Sequence, residues 1–296
     1  MDKNKMSQLK PKNIKLAIQK EGRLTEETLK LLESSGLELE THQRRLFAVC
    51  RNFPIEILFV RDDDIPDYVQ SGVVDLGIVG QNLIYEENAK VTEILKVGFG
   101  YCNLVIAVPK ESKVKTIKEL NKKRIATSYP NSAKRYCKEN NIQAEIIKIA
   151  GAVELTPALG VADAIVDISA TGSTMILNDL RPIDTILKSE AVLVANPESL
   201  KNGKGNNIDL LITRFKGVLA AKRYKYIMMN APEAALEEIK KIAPGLNSPT
   251  VMPLAKKGWI AIHAVIEESQ FWYIAERLKA LKAEGILVSP IEKIIL

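Results

Sequence analysis

Between Ala164 and Ile168 the chain is apolar apart from Asp167, and Ser169-Ala170-Thr171-Gly172-Ser173-Thr174 follows directly. An apolar run of that length reads as a strand buried on both faces, as in a parallel sheet. Met175-Ile176-Leu177 then begins a helix. A buried strand, a turn of small hydroxyl residues and a helix start hold the chain to an α/β architecture. Together they form an anion site, because backbone N–H groups point outward there and the helix dipole favours negative charge. Thr171, Ser173 and Thr174 add hydroxyl donors, and Gly172 allows the backbone to come close to a phosphate. Asp167, at the carboxyl end of the strand, is placed to accept from sugar hydroxyls or to help hold a cation.

The remainder of the chain alternates strands with short helices, the grammar of βαβ units. Ile14–Ile18 is the first strand, and Lys20 and Arg23 lie in the loop at its carboxyl end, where open α/β sheets bind ligands. Thr25 is expected to cap the helix that Gly36 ends. His42–Leu46 is basic. The strand Ile55–Val60 leads into Arg61-Asp62-Asp63-Asp64-Ile65-Pro66, whose acids are expected to cap a helix. Val73–Val79 reads as a buried strand, with Gly80-Gln81-Asn82 opening the next helix. Strands follow at Tyr101–Val108, Arg124–Tyr129 and Ala144–Ala150, and a loop and helix from Gly151 to Val161 carries Glu154. Beyond Arg181-Pro182 come strands at Thr185–Leu187 and Ala191–Ala195, then a long amphipathic helix over Ile208–Tyr224. The last stretch reads strand (Lys225–Asn230), helix (Pro232–Ile242), hairpin (Thr250–Leu254 with Trp259–Ile266), helix (Ser269–Ala283), strand (Ile286–Ile295). That order, βαββαβ, is ferredoxin-like.

Composition limits the functions open to such a chain. Its 296 residues are enough for two or three domains. A net charge of +6 suits anionic ligands without choosing among them. Three separated cysteines and two histidines make a zinc site an unsuitable reading, and reduced thiols in a cytoplasmic protein the simpler one. No apolar run is long enough to span a membrane.

The residues Glu154, Gly160, Ala162, Ile165, Asp167, Ile168, Thr171, Gly172, Thr174 and Met175 resemble the signature of the ATP phosphoribosyltransferase family, which opens histidine biosynthesis. The resemblance extends from about Ile14 to Ile295 and points to the long form. It implies an α/β fold: a two-lobed catalytic region with parallel or mixed sheets, like a periplasmic binding protein, followed by the ferredoxin-like unit as a regulatory domain. The implied boundaries are 1–103 plus 188–224 for lobe I, 104–187 for lobe II and 225–296 for the regulatory domain. The implied reaction joins N1 of ATP to the ribosyl group of phosphoribosyl pyrophosphate (PRPP), with Mg²⁺ as cofactor. Thr171, Gly172, Ser173 and Thr174 are expected to hold the 5′-phosphate, and Glu154 and Asp167 the ribose hydroxyls. Lys20, Arg23, Arg45 and Gly80 are expected on the ATP and pyrophosphate side. The family usually has threonine and an acid where this chain has Val79 and Asn82. Histidine is the implied inhibitor, at Asn230, Thr250 and Leu254, and the implied assembly is a homo-oligomer of dimers and hexamers. No side chain is expected to act as a covalent catalyst, and no protein ligand to the metal is assigned.

Two other classes fit less well. A solute-binding protein shares the two-lobed outline, but the polar start MDKNKMSQLKPKN is no export leader. An RNA-binding module shares the βαββαβ order, but the strands at Lys225–Met229 and Trp259–Ile262 lack the stacking aromatics it needs. Nucleic acid and membrane are therefore not expected as partners.

Overall fold

The computed structural model describes residues 13–40, 46–170, 172–201 and 204–296. In chain order the first elements are β1 (Ile14–Gln19), α1 (Thr25–Ser34), β2 (Leu39–Glu40), β3 (Phe47–Cys50), β4 (Ile55–Val60), α2 (Ile65–Gln70), β5 (Leu76–Gly80), α3 (Gln81–Glu87) and β6 (Thr92–Lys96). Next come β7 (Cys102–Pro109), β8 (Arg124–Thr127), α4 (Pro130–Glu139), β9 (Glu145–Lys148), β10 (Ala164–Ser169), α5 (Ser173–Leu177), β11 (Leu180–Ser189) and β12 (Ala191–Ala195). The chain ends with α6 (Gly205–Ala221), β13 (Tyr224–Pro232), α7 (Leu236–Ile242), β14 (Thr250–Pro253), β15 (Trp259–Glu267), α8 (Phe271–Ala280) and β16 (Glu284–Pro290).

Two compact units emerge, one running up to Lys30 and over Leu37–Asp209, the other combining Leu31–Gly36 with Leu210–Leu296. The first unit holds two sheets. Sheet one has the order β2-β3-β4-β1-β5-β12-β6, and sheet two the order β11-β7-β10-β8-β9. The chain passes between them twice, before β7 and after β11. Cys102 and Ser189 are paired partners in those strands, so the two passages lie side by side. At this hinge the Ser189 hydroxyl donates to Asn82 Oδ1 (3.1 Å) and accepts from the Asn82 N–H (3.0 Å). Asn82 thus has a buried structural bond where the family pattern left its contact undefined.

Several local expectations are corrected. β10 runs parallel to β8 but antiparallel to β7, so its sheet is mixed. An apolar run reports burial on both faces and says nothing of its neighbours' direction. Thr25 does not cap α1 through its side chain; its hydroxyl donates to the Gln19 carbonyl. Asp62–Asp64 form a 3-10 turn, and Asp64 caps α2 with no side-chain bond. Asp63 instead pairs with Arg61 at 3.2 Å. The segment around Glu154 is a 3-10 turn (Val153–Leu155) rather than a helix. β11 is one long strand that passes through Pro182 with irregular register near that residue.

In the second unit, β14-β15-β13-β16 form an antiparallel sheet with α7 and α8 on one face. This is the ferredoxin-like order read from the sequence. Alternation along the strands buries Ile227, Met229, Ile260, Ile262 and Ala264 against Ile239, Ile274 and Leu278. The last strand ends at Pro290, short of the expected Ile295. The tail then turns onto α6, where the Ile294 N–H donates to the Gly217 carbonyl at 3.0 Å.

Candidate active site

The phosphate turn begins where β10 ends. Gly172 has φ +79°, in the left-handed region, and a Cβ there would meet no atom within 4 Å. The glycine is therefore required by the backbone conformation, and the space beyond it is open for a ligand. Its carbonyl accepts from the Ile176 N–H (3.2 Å), which closes the first turn of α5. Thr171 lies outside the described residues, as do the side chains of Ser173 and Thr174. α5 spans five residues, so the backbone N–H groups of the turn matter more here than a summed dipole.

Asp167 is the acid of this site. Its Oδ1 accepts from the Ile168 N–H at 2.7 Å. Burial pushes its pKa up, that hydrogen bond pulls the other way, and the charge on Glu154 adds to the rise. Glu154 is half-buried on its 3-10 turn and is close enough for its charge to be felt at Asp167. The structure therefore brings together the two carboxylates singled out in the sequence. Neither has a basic partner among the described contacts. A carboxylate pair held this way is poised for a ligand with hydroxyls or positive charge.

Arg23, in the β1–α1 loop, lies close enough to Tyr129 for its charge to be felt there. Its guanidinium donates to the Tyr101 carbonyl and to Cys102 Sγ, both at 3.4 Å, which ties it to the first passage between the sheets. Gln19 braces the loop by accepting from the Leu24 N–H at 2.9 Å. Lys20 stands beside the carboxyl end of β4, its N–H donating to the Val60 carbonyl. Its ammonium is half exposed, 4.0 Å from Glu21, and so is free to meet a ligand. Arg45 lies outside the described residues. Gly80 is buried, and the space of its missing Cβ is taken by the Asn82 side chain, with Oδ1 2.3 Å from where a Cβ would sit. That geometry gives Gly80 a packing role at the hinge.

Tyr129 was not singled out by sequence reasoning. It sits between β8 and α4, half-buried. Burial pushes its phenol up, Asp167 and Asp62 add to the rise, and Arg23 opposes it. One side chain thus feels the charges of β10, of the loop after β4 and of the loop after β1. The local signal was available: an aromatic residue before Pro130, at the carboxyl end of a strand. Tyr129 also lines a cavity of about 840 Å³ with Arg61, Leu83, Glu86, Lys134, Lys148 and Ile149. That volume is of the size that takes a nucleotide-sized ligand. One wall comes from the turn after β4 and from α3, the other from β9 and the β8–α4 turn.

The chain is similar to known proteins. The family model described as HisG: ATP phosphoribosyltransferase matches residues 61–217. The chain belongs to the ATP phosphoribosyltransferase family. A second model, the HisG C-terminal domain, matches residues 221–293. The ATP phosphoribosyltransferase of Cytophaga hutchinsonii is 48% identical over 95% of this chain and 98% of the relative. That of Bacteroides fragilis is 46% identical over 96% of this chain and the whole of the relative. Among solved structures, an ATP phosphoribosyl transferase (HisG:HisZ) complex from Thermotoga maritima matches with TM-score 0.61 and 31% identity, over 69% of this chain and 96% of that one. The protein is therefore a pentosyltransferase of histidine biosynthesis. No helix among the described residues is long and apolar enough to cross a membrane.

Proposed function

We propose that the cleft between the two sheets of the first unit transfers the phosphoribosyl group of PRPP to N1 of ATP. The observation that carries this reading is the Asp167–Glu154 carboxylate pair beside the open Gly172 turn, with Tyr129 close enough to feel the charges of both Asp167 and Arg23. Thr171, Gly172, Ser173 and Thr174 take the 5′-phosphate, and Asp167 and Glu154 accept from the ribose hydroxyls. Lys20, Arg23 and Arg45 meet the phosphates of ATP or the leaving pyrophosphate, while Gly80 acts through hinge packing. In the reaction the C1–O bond to pyrophosphate breaks and the C1–N1 bond forms. C1 becomes oxocarbenium-like, and nearby carboxylates stabilise that charge. The protein contributes alignment and charge rather than a covalent nucleophile.

Mg²⁺ fits this site as an ion shared with the substrate. It is commonly held by one or two carboxylates and substrate phosphates, and Asp167 and Glu154 supply that number. Among the described residues no group of three His, Cys, Asp or Glu forms a ready metal cage. The bound ion would neutralise pyrophosphate charge.

The domain roles follow the same reading: residues 1–103 with 188–224 and residues 104–187 form the two catalytic lobes, and residues 225–296 bind the inhibitor. Asn230 and Thr250 share a sheet face, with Met228↔His263↔Thr250 and Asn230↔Ala261↔Met252 as cross-strand rows. Leu254 closes the same hairpin, its N–H donating to the Trp259 carbonyl. Histidine binds this face and favours one arrangement of a dimer–hexamer homo-oligomer, in the cytoplasm, with a coupling of about 1–3 kcal/mol.

The test combines enzyme, ATP, PRPP and Mg²⁺ and follows ultraviolet absorbance together with pyrophosphate release. Both signals rise in step if N1 is substituted; pyrophosphate release with no change in the adenine chromophore would overturn the assignment. Asn230→Ala and Thr250→Ala should relieve histidine inhibition and leave uninhibited turnover intact. Undiminished wild-type turnover in saturating histidine, with no calorimetric binding, would remove the regulatory role.

A further inference from the structure

The first turn of α4 carries no side-chain cap of its own: Tyr129, its N-cap residue, makes no capping bond. The cap arrives from the other sheet's side. Glu86, on α3, is 5% exposed. Its carboxylate accepts from the Asn131 N–H (2.9 Å), the Ser132 N–H (2.8 Å) and the Ser132 hydroxyl (2.6 Å). A carboxylate at a helix N-terminus satisfies orphan donors and meets the positive end of the dipole. A second tie runs alongside. The Arg135 guanidinium donates to the Tyr85 carbonyl and lies 4.0 Å from the centre of the Tyr85 ring. Thus α3, which follows β5 of the first sheet, grips α4, which follows β8 of the second.

We propose that Glu86 is a positioning residue for phosphoribosyl transfer, which fixes the register of one lobe against the other and so holds Tyr129 at the carboxylate pair. This rests on the reaction proposed above. The residues assigned to PRPP lie on β10, the Glu154 turn and the phosphate turn, all on the second sheet's side. Those assigned to ATP and pyrophosphate, Lys20 and Arg23, lie on the first. PRPP can therefore bind without the grip, whereas transfer needs both sides aligned.

Glu86→Ala and Glu86→Gln provide the test, with Ser132→Ala as the milder change. Gln keeps an acceptor but places an amide donor against the α4 N–H groups. Both Glu86 variants should lose about a hundredfold in kcat, the scale of a 1 Å misplacement, while PRPP affinity by calorimetry stays within about twofold. Ser132→Ala, which removes one of the three bonds, should lose less. Spin labels at Ser71→Cys and Lys118→Cys, both exposed and one on each sheet's side, report the lobe spacing directly. The distance distribution should broaden in the Glu86 variants and stay narrow in Ser132→Ala. Wild-type kcat with an unchanged distribution in Glu86→Ala would overturn the proposal, as would equal losses of PRPP affinity and kcat. Should the wild type fail to join PRPP to ATP, the reaction reading falls, while the distance measurement still decides whether Glu86 holds the lobes.

Discussion

Asp75 and Asp167 stand at opposite ends of central strands, and the protein surrounds them in opposite ways. Asp75 precedes β5 at its amino end and is 5% exposed. It accepts from the Lys15 N–H (2.8 Å), the Ser199 hydroxyl (2.7 Å) and the Lys204 ammonium (2.7 and 2.9 Å). Burial alone would push its carboxyl up, but Lys204, Ser199 and Lys15 together hold it below the usual range. Asp167 lies in the carboxyl half of β10 with one backbone donor and a like charge nearby, and its carboxyl lies above the usual range. The amino end of the strand carries a satisfied charge that serves the fold. The carboxyl end keeps a charge with no basic partner among the described contacts, and carboxyl ends are where α/β sheets bind ligands. This contrast separates stability from function within one residue type.

The contrast breaks most visibly at Asp75. Asp75→Ala removes the buried partner of the part-buried Lys204 and leaves the Ser199 hydroxyl without its acceptor, and should cost about 3 kcal/mol in urea unfolding, with turnover per folded molecule unchanged. The pH dependence follows from the sign of the shift. A lowered carboxyl contributes stability above its unfolded pKa of about 3.9, and that contribution disappears as pH falls through the lower folded value. The gap between wild type and variant should therefore narrow on acidification below about pH 4. A gap that stays constant down to low pH would show that the ion pair contributes nothing.

Asp167→Asn should act in the reverse sense. A raised carboxyl contributes stability that is complete below its unfolded pKa and is lost as pH rises through the folded value. At neutral pH the wild type carries that cost, so Asn should hold or raise Tm, since its Oδ1 can still accept from Ile168. PRPP binding should weaken by about 1.5–3 kcal/mol, as a charged acceptor for ribose is lost. A variant less stable and equally active would place Asp167 with Asp75 as a structural charge.

Gly172→Val should cost about 1–2 kcal/mol in stability, because φ +79° is strained for any side chain. It should also raise the KM for PRPP more than Thr171→Ala or Thr174→Ala, each of which removes one hydroxyl contact worth about 1.5–3 kcal/mol. Equal PRPP affinity in Gly172→Val and wild type would make the turn structural. The smallest stability effect belongs to Lys20→Ala, within about 0.5 kcal/mol, since its ion pair is loose and exposed. Its activity should still fall; Arg23→Ala should also lose activity, and Arg23→Lys should recover it in part because an ammonium cannot reproduce the guanidinium fork. Full activity in Lys20→Ala and Arg23→Ala would move the pyrophosphate side elsewhere in the cleft.

Much of this molecule is legible in local sequence. The β10 run, the hydroxyl-rich turn with Gly172 in it and the βαββαβ order of the second unit all follow from patterns a few residues long. Such patterns encode side-chain periodicity and backbone tolerance. β2, β3 and β6 were not read because they are short and partly exposed, as in the Thr92–Lys96 pattern with no fully buried residue. The direction of β7 against β10 was decided by tertiary structure, since a strand buried on both faces has the same composition beside parallel and antiparallel neighbours. Tertiary structure also decided that Tyr129 would feel Asp62, Asp167 and Arg23 at once, and that the cap of α4 would come from Glu86, 45 residues before Asn131. A cap normally announces itself within three residues of its helix. One supplied across a cleft leaves no local trace, because its donors and its acceptor meet only when the two sheets are already in place.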